Sequence, residues 1–112
     1  MNELNKKFEF FVESYAKKHN WIIKENQQNQ EPYISIKLES GKVFAYIDYE
    51  RSIIHIPQVI APDLLKNMDY VNFSKSTLTR LWGYSQIEVN ITSESLFENY
   101  MKLLDRACRK IN

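Results

Sequence analysis

Apolar residues recur at helical spacing near both ends of the chain. Within residues 3–19 they are Leu4, Phe8, Phe11, Val12, Tyr15 and Ala16. Towards the C-terminus they are Phe97, Tyr100, Met101, Leu104, Cys108 and Ile111. We therefore predict one amphipathic helix near each end. Asn20 is expected to end the first helix, because asparagine tolerates the left-handed conformation. Thr92 or Ser93 is expected to cap the second.

Between these helices, apolar and polar residues alternate, as in strands that bury one face. The predicted strands cover residues 21–23, 33–38, 43–49, 52–56 and 84–91. Tight turns are predicted at residues 39–42, where Gly41 supplies a positive φ, and at residues 49–52. Short connections between consecutive strands indicate an antiparallel meander.

Two stretches lack this alternation. Residues 26–32 are polar and end in a proline, so they are predicted to form a loop between two strands. A short helix is expected to begin near Pro62, because proline suits the first helical position. Residues 74–81 are predicted to be either helical or a loop.

Together these elements predict an α+β fold. We expect a two-layer sandwich in which an antiparallel sheet of about five strands carries the N- and C-terminal helices on one face. The chain of 112 residues fits a single domain, residues 1–112. Its hydrophobic fraction of 44% is enough for one core.

Charge and cysteine content narrow the function classes. Lys and Arg number 15 against 14 acidic residues, so composition supplies no excess of cations for strong nonspecific DNA binding. Cys108 is the single cysteine, which excludes an intrachain disulfide and fits a reducing compartment. We expect neither a signal peptide nor a membrane span, and therefore a cytoplasmic protein.

The motifs of common active sites are missing from the sequence. Its two histidines, His19 and His55, are far apart and have no cysteine pair, and a structural role is expected for both. Two glycines cannot build a phosphate-binding loop. We therefore predict no catalytic residue, no metal and no cofactor. A carboxylate-dependent hydrolase or nuclease subunit that uses Asp48, Glu50 and His55 stays open as an alternative.

Two clusters could form contact surfaces. Tyr33, Phe44, Tyr46 and Tyr49 lie on neighbouring predicted strands, where aromatic rings either fill a core or stack on bases; we favour the core. Residues 74–80 combine Ser, Thr, Lys and Arg, which suits phosphate binding or a solvent-facing connector. This connector runs into Trp82 and Gly83. The predicted binding residues are Lys75, Arg80, Trp82 and Tyr84.

Residues 43–111 resemble a family of small bacterial domains of unknown function. These domains occur alone or C-terminal to restriction-type nuclease modules, and some are labelled predicted transport proteins. The matching features are Arg80, Trp82-Gly83, the alternating strand at 87–91 and the Ser/Thr-rich start of the last helix at 92–96. This chain departs from the family at Leu81, where a histidine is frequent. The resemblance implies a non-catalytic recognition module in genome-defence settings.

The expected function is therefore a non-enzymatic binding module, accessory to genome-defence or nucleic-acid-related systems. A phage- or plasmid-encoded inhibitor of a larger protein is an alternative that the small size suits equally well. We expect a protein partner, with nucleic acid left open, and no membrane. A homodimer through a sheet edge is also open, with residues 21–25 or 52–56 as the pairing strand.

Overall fold

The described residues form one sheet with two helices, in the predicted α+β class. The computed structural model describes residues 2–28, 31–57, 78–81 and 87–112. The elements are α1 (Glu3–His19), β1 (Ile22–Gln28), β2 (Glu31–Lys37), β3 (Val43–Asp48), β4 (Ile53–Ile56), β5 (Leu78–Leu81), β6 (Ile87–Asn90) and α2 (Phe97–Ile111). The predicted short helix near Pro62 lies outside the described residues.

All pairings in the sheet are antiparallel, and the strand order is β1-β2-β3-β4-β6-β5. The described sheet has six strands, one more than the expected number of about five. The additional strand is β5, where a helix or a loop was predicted. Its pairing with β6 is irregular between Leu78 and Arg80. The register sets Leu78 and Leu81 opposite apolar residues of β6, Val89 and Ile87.

The predicted end of α1 at Asn20 is confirmed. The helix covers the predicted residues, and Asn20 follows it in the left-handed conformation, with φ 59°. At the other end, Asn2 accepts a hydrogen bond of 2.8 Å from the backbone N–H of Asn5. This bond satisfies one of the N–H groups that the first turn of a helix leaves without a partner.

The predicted meander is confirmed, but the first hairpin is longer than expected. β1 and β2 extend into the polar run 26–32, so most of the predicted loop is paired strand. Asn26 contributes to the pairing, because its side-chain amide donates to the Ser35 hydroxyl at 3.0 Å. The next turn has Gly41 at φ 95°, as predicted, and the turn before β4 has Ser52 at φ 58°.

α2 begins differently from the prediction. A 3₁₀ turn, Glu94–Leu96, precedes the helix, and Ser93 occupies its N-cap position without a side-chain capping bond. The Ser93 hydroxyl lies 2.5 Å from the Ser95 hydroxyl instead. The backbone N–H of Thr92 donates to the Tyr100 hydroxyl at 3.0 Å. Tyr100, a residue of α2, thus binds the segment before the helix through its hydroxyl, where a bond from a capping side chain was expected.

Both helices pack on one face of the sheet, which we call the inner face. Its buried side chains come from four neighbouring strands: Ile34, Ile36, Ala45, Ile47, Ile54, Ile56 and Val89. The helices cover these side chains with aromatic rings. The ring centroid of Phe8 in α1 lies 5.0 Å from that of Phe97 and 5.4 Å from that of Tyr100, both in α2. Strand alternation and helical spacing therefore converge on one core.

A bulge in β3 adds one more ring to this core. Ile36 pairs with Ala45 and Lys37 with Val43, which leaves Phe44 as the extra residue. Phe44 and Ala45 are consecutive, yet both are fully buried. The Phe44 ring packs edge-to-face on Trp21 at 5.0 Å.

One buried polar side chain attaches α1 to the β3–β4 turn. Asn5 is 1% exposed, and its amide donates to the Tyr49 carbonyl and, at 2.7 Å, to the Ser52 hydroxyl. The sequence analysis placed no polar residue in the core. A hydrogen-bonded amide between helix and turn fixes their relative position more specifically than apolar contact does.

The strand order also decides between the two predicted pairing edges. β4 lies between β3 and β6, so the expectation that residues 52–56 form a free edge is wrong. β1 is an edge of the described sheet, and the possibility of pairing through residues 21–25 stays a prediction. Neither described helix is long and apolar enough to cross a lipid bilayer.

Candidate functional site

Of the four predicted binding residues, Lys75, Trp82 and Tyr84 lie outside the described residues. The fourth, Arg80, belongs to β5, where its backbone pairs opposite Glu88 of β6. The predicted cationic connector thus ends in an edge strand of the sheet. Glu88 lies on the face of the sheet opposite the helices, which we call the outer face.

One row of residues crosses every strand on the outer face. Successive antiparallel pairs connect Lys24 to Ser35, Ser35 to Tyr46, Tyr46 to His55, His55 to Glu88, and Glu88 to Arg80. We call these residues the outer row. Because directly paired residues of antiparallel strands share a face, the register alone brings these distant positions together. The sequence pattern does not predict the pairs at the two ends of the row, which are Lys24 with Ser35 and Glu88 with Arg80.

Two tyrosines form the aromatic part of the outer face. Tyr33 of β2 and Tyr46 of β3 have ring centroids 6.0 Å apart and an angle of 60° between their planes. Both side chains are partly exposed. The core interpretation of the four strand aromatics therefore holds for Phe44 and Tyr49, which are 0% and 6% exposed, and is wrong for Tyr33 and Tyr46. The bulge moves Phe44 away from the face that Tyr46 occupies.

Two carboxylates of this face, Glu88 and Asp48, already have partners within the protein. Glu88 Oε1 lies 3.7 Å from His55 Nδ1, and the two side chains are 14% and 29% exposed. Asp48 Oδ1 accepts backbone hydrogen bonds of 3.0 Å from Glu50 and Arg51, and its other oxygen faces the Arg51 guanidinium at 3.7 Å. Asp48 therefore stabilises the β3–β4 turn.

His55 was grouped with Asp48 and Glu50 in the hydrolase alternative, and the structure gives it a different carboxylate neighbour. That neighbour is Glu88, which lies across the strand pair β4–β6. Among the described residues, no three His, Cys, Asp or Glu side chains are close enough together to hold a metal ion. The described part of the outer face thus offers hydrogen-bonding and stacking groups instead of a metal-ligand set.

The exposed charges near the outer row are mainly cationic. Lys24 is exposed on β1, and the Arg51 side chain is 61% exposed, whereas its partner Asp48 is only 13% exposed. Lys37, two residues beyond Ser35 on β2, is partly exposed, and the exposed acid Glu50 lies in the turn beside Arg51. Cations at the surface with half-hidden carboxylates favour an anionic ligand.

Three further described side chains, Cys108, Tyr49 and His19, lie on the helix side of the molecule. Burial raises the pKa of the Cys108 thiol, which lowers its reactivity as a nucleophile. Burial also raises the pKa of Tyr49, so its hydroxyl stays protonated. The His19 ring is stacked on Tyr15 at 4.3 Å and lies 5.4 Å from Trp21, which agrees with a structural role.

Sequence reasoning missed Lys24, Ser35 and Glu88 as members of the outer row, in which Ser35 is buried. Each occupies the polar phase of an alternating strand, which indicates a solvent-facing position and nothing more specific. The signal that joins them is the strand order, because β6 follows β4 in the sheet while β5 pairs outside β6. The order of these strands in the sheet cannot be predicted from their order along the chain.

Comparison with known proteins adds no relative to this picture. A scan against protein-family models, a search of curated proteins and a search of solved structures each found no match to the chain. The resemblance to the Trp-Gly family therefore stays a prediction. The functional argument depends on the outer face itself.

Proposed function

We propose that this chain is a non-enzymatic recognition module that contacts its partner through the outer face of the sheet. A role accessory to bacterial genome-defence or nucleic-acid-related systems is part of the proposal, and its support is the family resemblance of residues 43–111. A cytoplasmic location belongs to the same proposal. The main support for the proposed function is the division of the sheet into a packed inner face and a polar outer face.

That division assigns packing to one face and, to the other, polar side chains of which Tyr46, His55 and Glu88 are partly exposed. The inner face buries isoleucines under both helices, while the outer row carries Tyr46, His55 and Glu88 between them in the same strands. A face held by the hydrogen bonds of a sheet is already ordered before a partner arrives. Binding to such a surface loses less conformational entropy than binding to a loop.

The chemistry of the face also favours contact over bond making. Asp48 accepts hydrogen bonds from the backbone of a turn, Glu88 lies beside His55, and both carboxylate side chains are mostly buried. The accessible groups are tyrosine rings, a lysine amine and a guanidinium. Of these, tyrosine and arginine are enriched among the residues that anchor protein interfaces.

Affinity capture with matched surface variants tests this function. The tagged chain is incubated with lysate of its native host, and bound protein and nucleic acid are identified. The outer-face variants are Tyr46→Leu and Arg80→Ala. The control is Phe10→Ala, which removes an aromatic ring that is 73% exposed on α1.

The proposal predicts a stoichiometric partner that Tyr46→Leu loses and Phe10→Ala retains. A partner that is retained by both outer-face variants would place the contact elsewhere and contradict the assignment. Inhibition of the captured partner would select the inhibitor alternative. The hydrolase alternative predicts a higher melting temperature with millimolar Mg²⁺, Mn²⁺ or Zn²⁺, because specific binding stabilises the folded state.

A further inference from the structure

From the tyrosine pair and the charges around it, we infer that the outer face binds single-stranded nucleic acid, with bases stacked on Tyr33 and Tyr46. This inference deepens the proposed function and rests on it. It departs from the expectation of a protein partner, because two of the four strand aromatics are on the surface and not in the core.

The geometry of the tyrosine pair suits unpaired bases. The rings come from adjacent strands and share one face of the sheet, 6.0 Å apart and inclined at 60°. Rings at that angle present separate surfaces, so each offers a stacking position to a different base. Aromatic side chains on a sheet recognise bases in this way only when the bases are unstacked, as in single strands.

Cations lie on both sides of the tyrosine pair, where a strand's phosphates would pass. Lys24 lies on β1, next to Ser35 in the outer row, and Arg51 follows β3 at the turn. Asp48, at the end of β3, has one oxygen bound to two backbone N–H groups and the other near Arg51. On the described part of the outer face a polyanion therefore meets the exposed cations Lys24 and Arg51, with Glu50 as an exposed acid in the turn.

The small number of cations sets an expected salt dependence. If Lys24 and Arg51 each neutralise one phosphate, two counterions are displaced. For a single strand the slope of log K against log salt is then about −1.4. Stacking, which is insensitive to salt, would supply the rest of the affinity. Duplex DNA should compete weakly, because its bases are already stacked.

Fluorescence anisotropy with labelled twelve-nucleotide dT and rU oligonucleotides tests the inference on the full chain. The stacking variants are Tyr33→Leu and Tyr46→Leu, which keep an apolar side chain in each strand. Tyr46→Phe keeps the ring and should bind like the wild type. Lys24→Gln tests the cation, with Lys17→Gln on α1 as the matched control. Thermal melts confirm that each variant is folded.

We expect each leucine variant to bind about 5-fold more weakly or worse, as loss of one stacked base implies. Tyr46→Phe and Lys17→Gln should leave binding unchanged, and Lys24→Gln should reduce both the affinity and the salt slope. Absence of binding at low salt by the folded wild type would overturn the inference. Binding that the leucine variants retain would overturn it too.

These outcomes are separable from the test of the proposed function. A protein partner that is lost in Tyr46→Leu, together with no oligonucleotide binding, would overturn the nucleic-acid inference and leave the recognition module standing. Failure of both tests would remove the outer face as the contact surface.

Discussion

The same strands contribute buried apolar residues to the inner face of the sheet and polar residues to the outer face. In β4, Ile54 and Ile56 are fully buried against the helices, and His55 between them lies in the outer row beside Tyr46 and Glu88. A step of one residue separates the core from the candidate contact surface. Substitutions on the two faces should therefore separate stability from binding, and the following predictions test that separation.

The largest expected effect is on the inner face. Ile54→Ala should lower the free energy of unfolding by about 3 kcal/mol, because it removes buried methyl groups and leaves a cavity. His55→Ala, one residue further, should cost less than about 1 kcal/mol. Urea unfolding followed by circular dichroism measures both values. Equal losses would show that the outer face is also part of the folding core.

The second effect concerns Asn5, the polar side chain buried on the helix side. Asn5→Ala should destabilise the chain by about 2 kcal/mol, because the buried Tyr49 carbonyl loses its donor. The matched control is Tyr49→Phe. The Tyr49 hydroxyl is buried and has no hydrogen-bond partner among the described residues, so its removal should be nearly neutral. The same urea experiment decides, and a neutral Asn5→Ala would contradict the attachment role.

A smaller effect is expected within the outer row. A double-mutant cycle with His55→Ala and Glu88→Gln should give a coupling energy below about 1 kcal/mol, because the two groups are 3.7 Å apart and partly solvated. Thermal unfolding of the four proteins measures this coupling. A coupling of several kcal/mol would mean that the pair is a structural element and would blur the contrast between the faces.

The smallest effect is a pH dependence at Glu9 on α1. Burial, with smaller contributions from Glu13 and Glu25, raises the pKa of Glu9. The folded state then holds the proton more tightly than the unfolded state, so stability falls as pH rises from the unfolded-state pKa of about 4.3 towards the raised value.

Glu9→Gln should therefore stabilise the chain at pH 7 by a few tenths of a kcal/mol, about the size of a typical surface effect. The gain should vanish near pH 3, where Glu9 is protonated in both states. Thermal melts at the two pH values measure the difference, and Glu39→Gln in the exposed 39–42 turn is the control. A gain that persists at pH 3 would have another cause.

Periodicity was sufficient for the elements that bury a clear face. α1 was predicted to its boundaries, and Gly41 and Asn20 marked their positive-φ positions correctly. These successes share a local cause, because one residue type or one repeat decides the backbone conformation. The extension of β1 and β2 into the polar run 26–32 could not be predicted in this way, since pairing between two strands overrode the weak strand propensity of Asn and Gln.

The candidate site was less accessible to sequence reasoning than the fold. Arg80 was identified from its polar neighbourhood, but its position opposite Glu88 depends on β5 pairing with β6. The outer row requires five such pairings, which are long-range properties of the sheet. The assignment of Tyr46 to the core was wrong because one extra residue in β3 breaks the simple alternation from Phe44 onwards.

That extra residue also has a consequence for the shape of the molecule. A bulge increases the local twist and bends its strand, so β3 should curl around the end of the helix layer. The extra residue, Phe44, packs its ring against Trp21, just before β1. A chain shortened by Phe44 should regain uniform pairing and a flatter β3, and it would lose this ring contact. The bend of β3 and the contact between Phe44 and Trp21 thus depend on a single inserted residue.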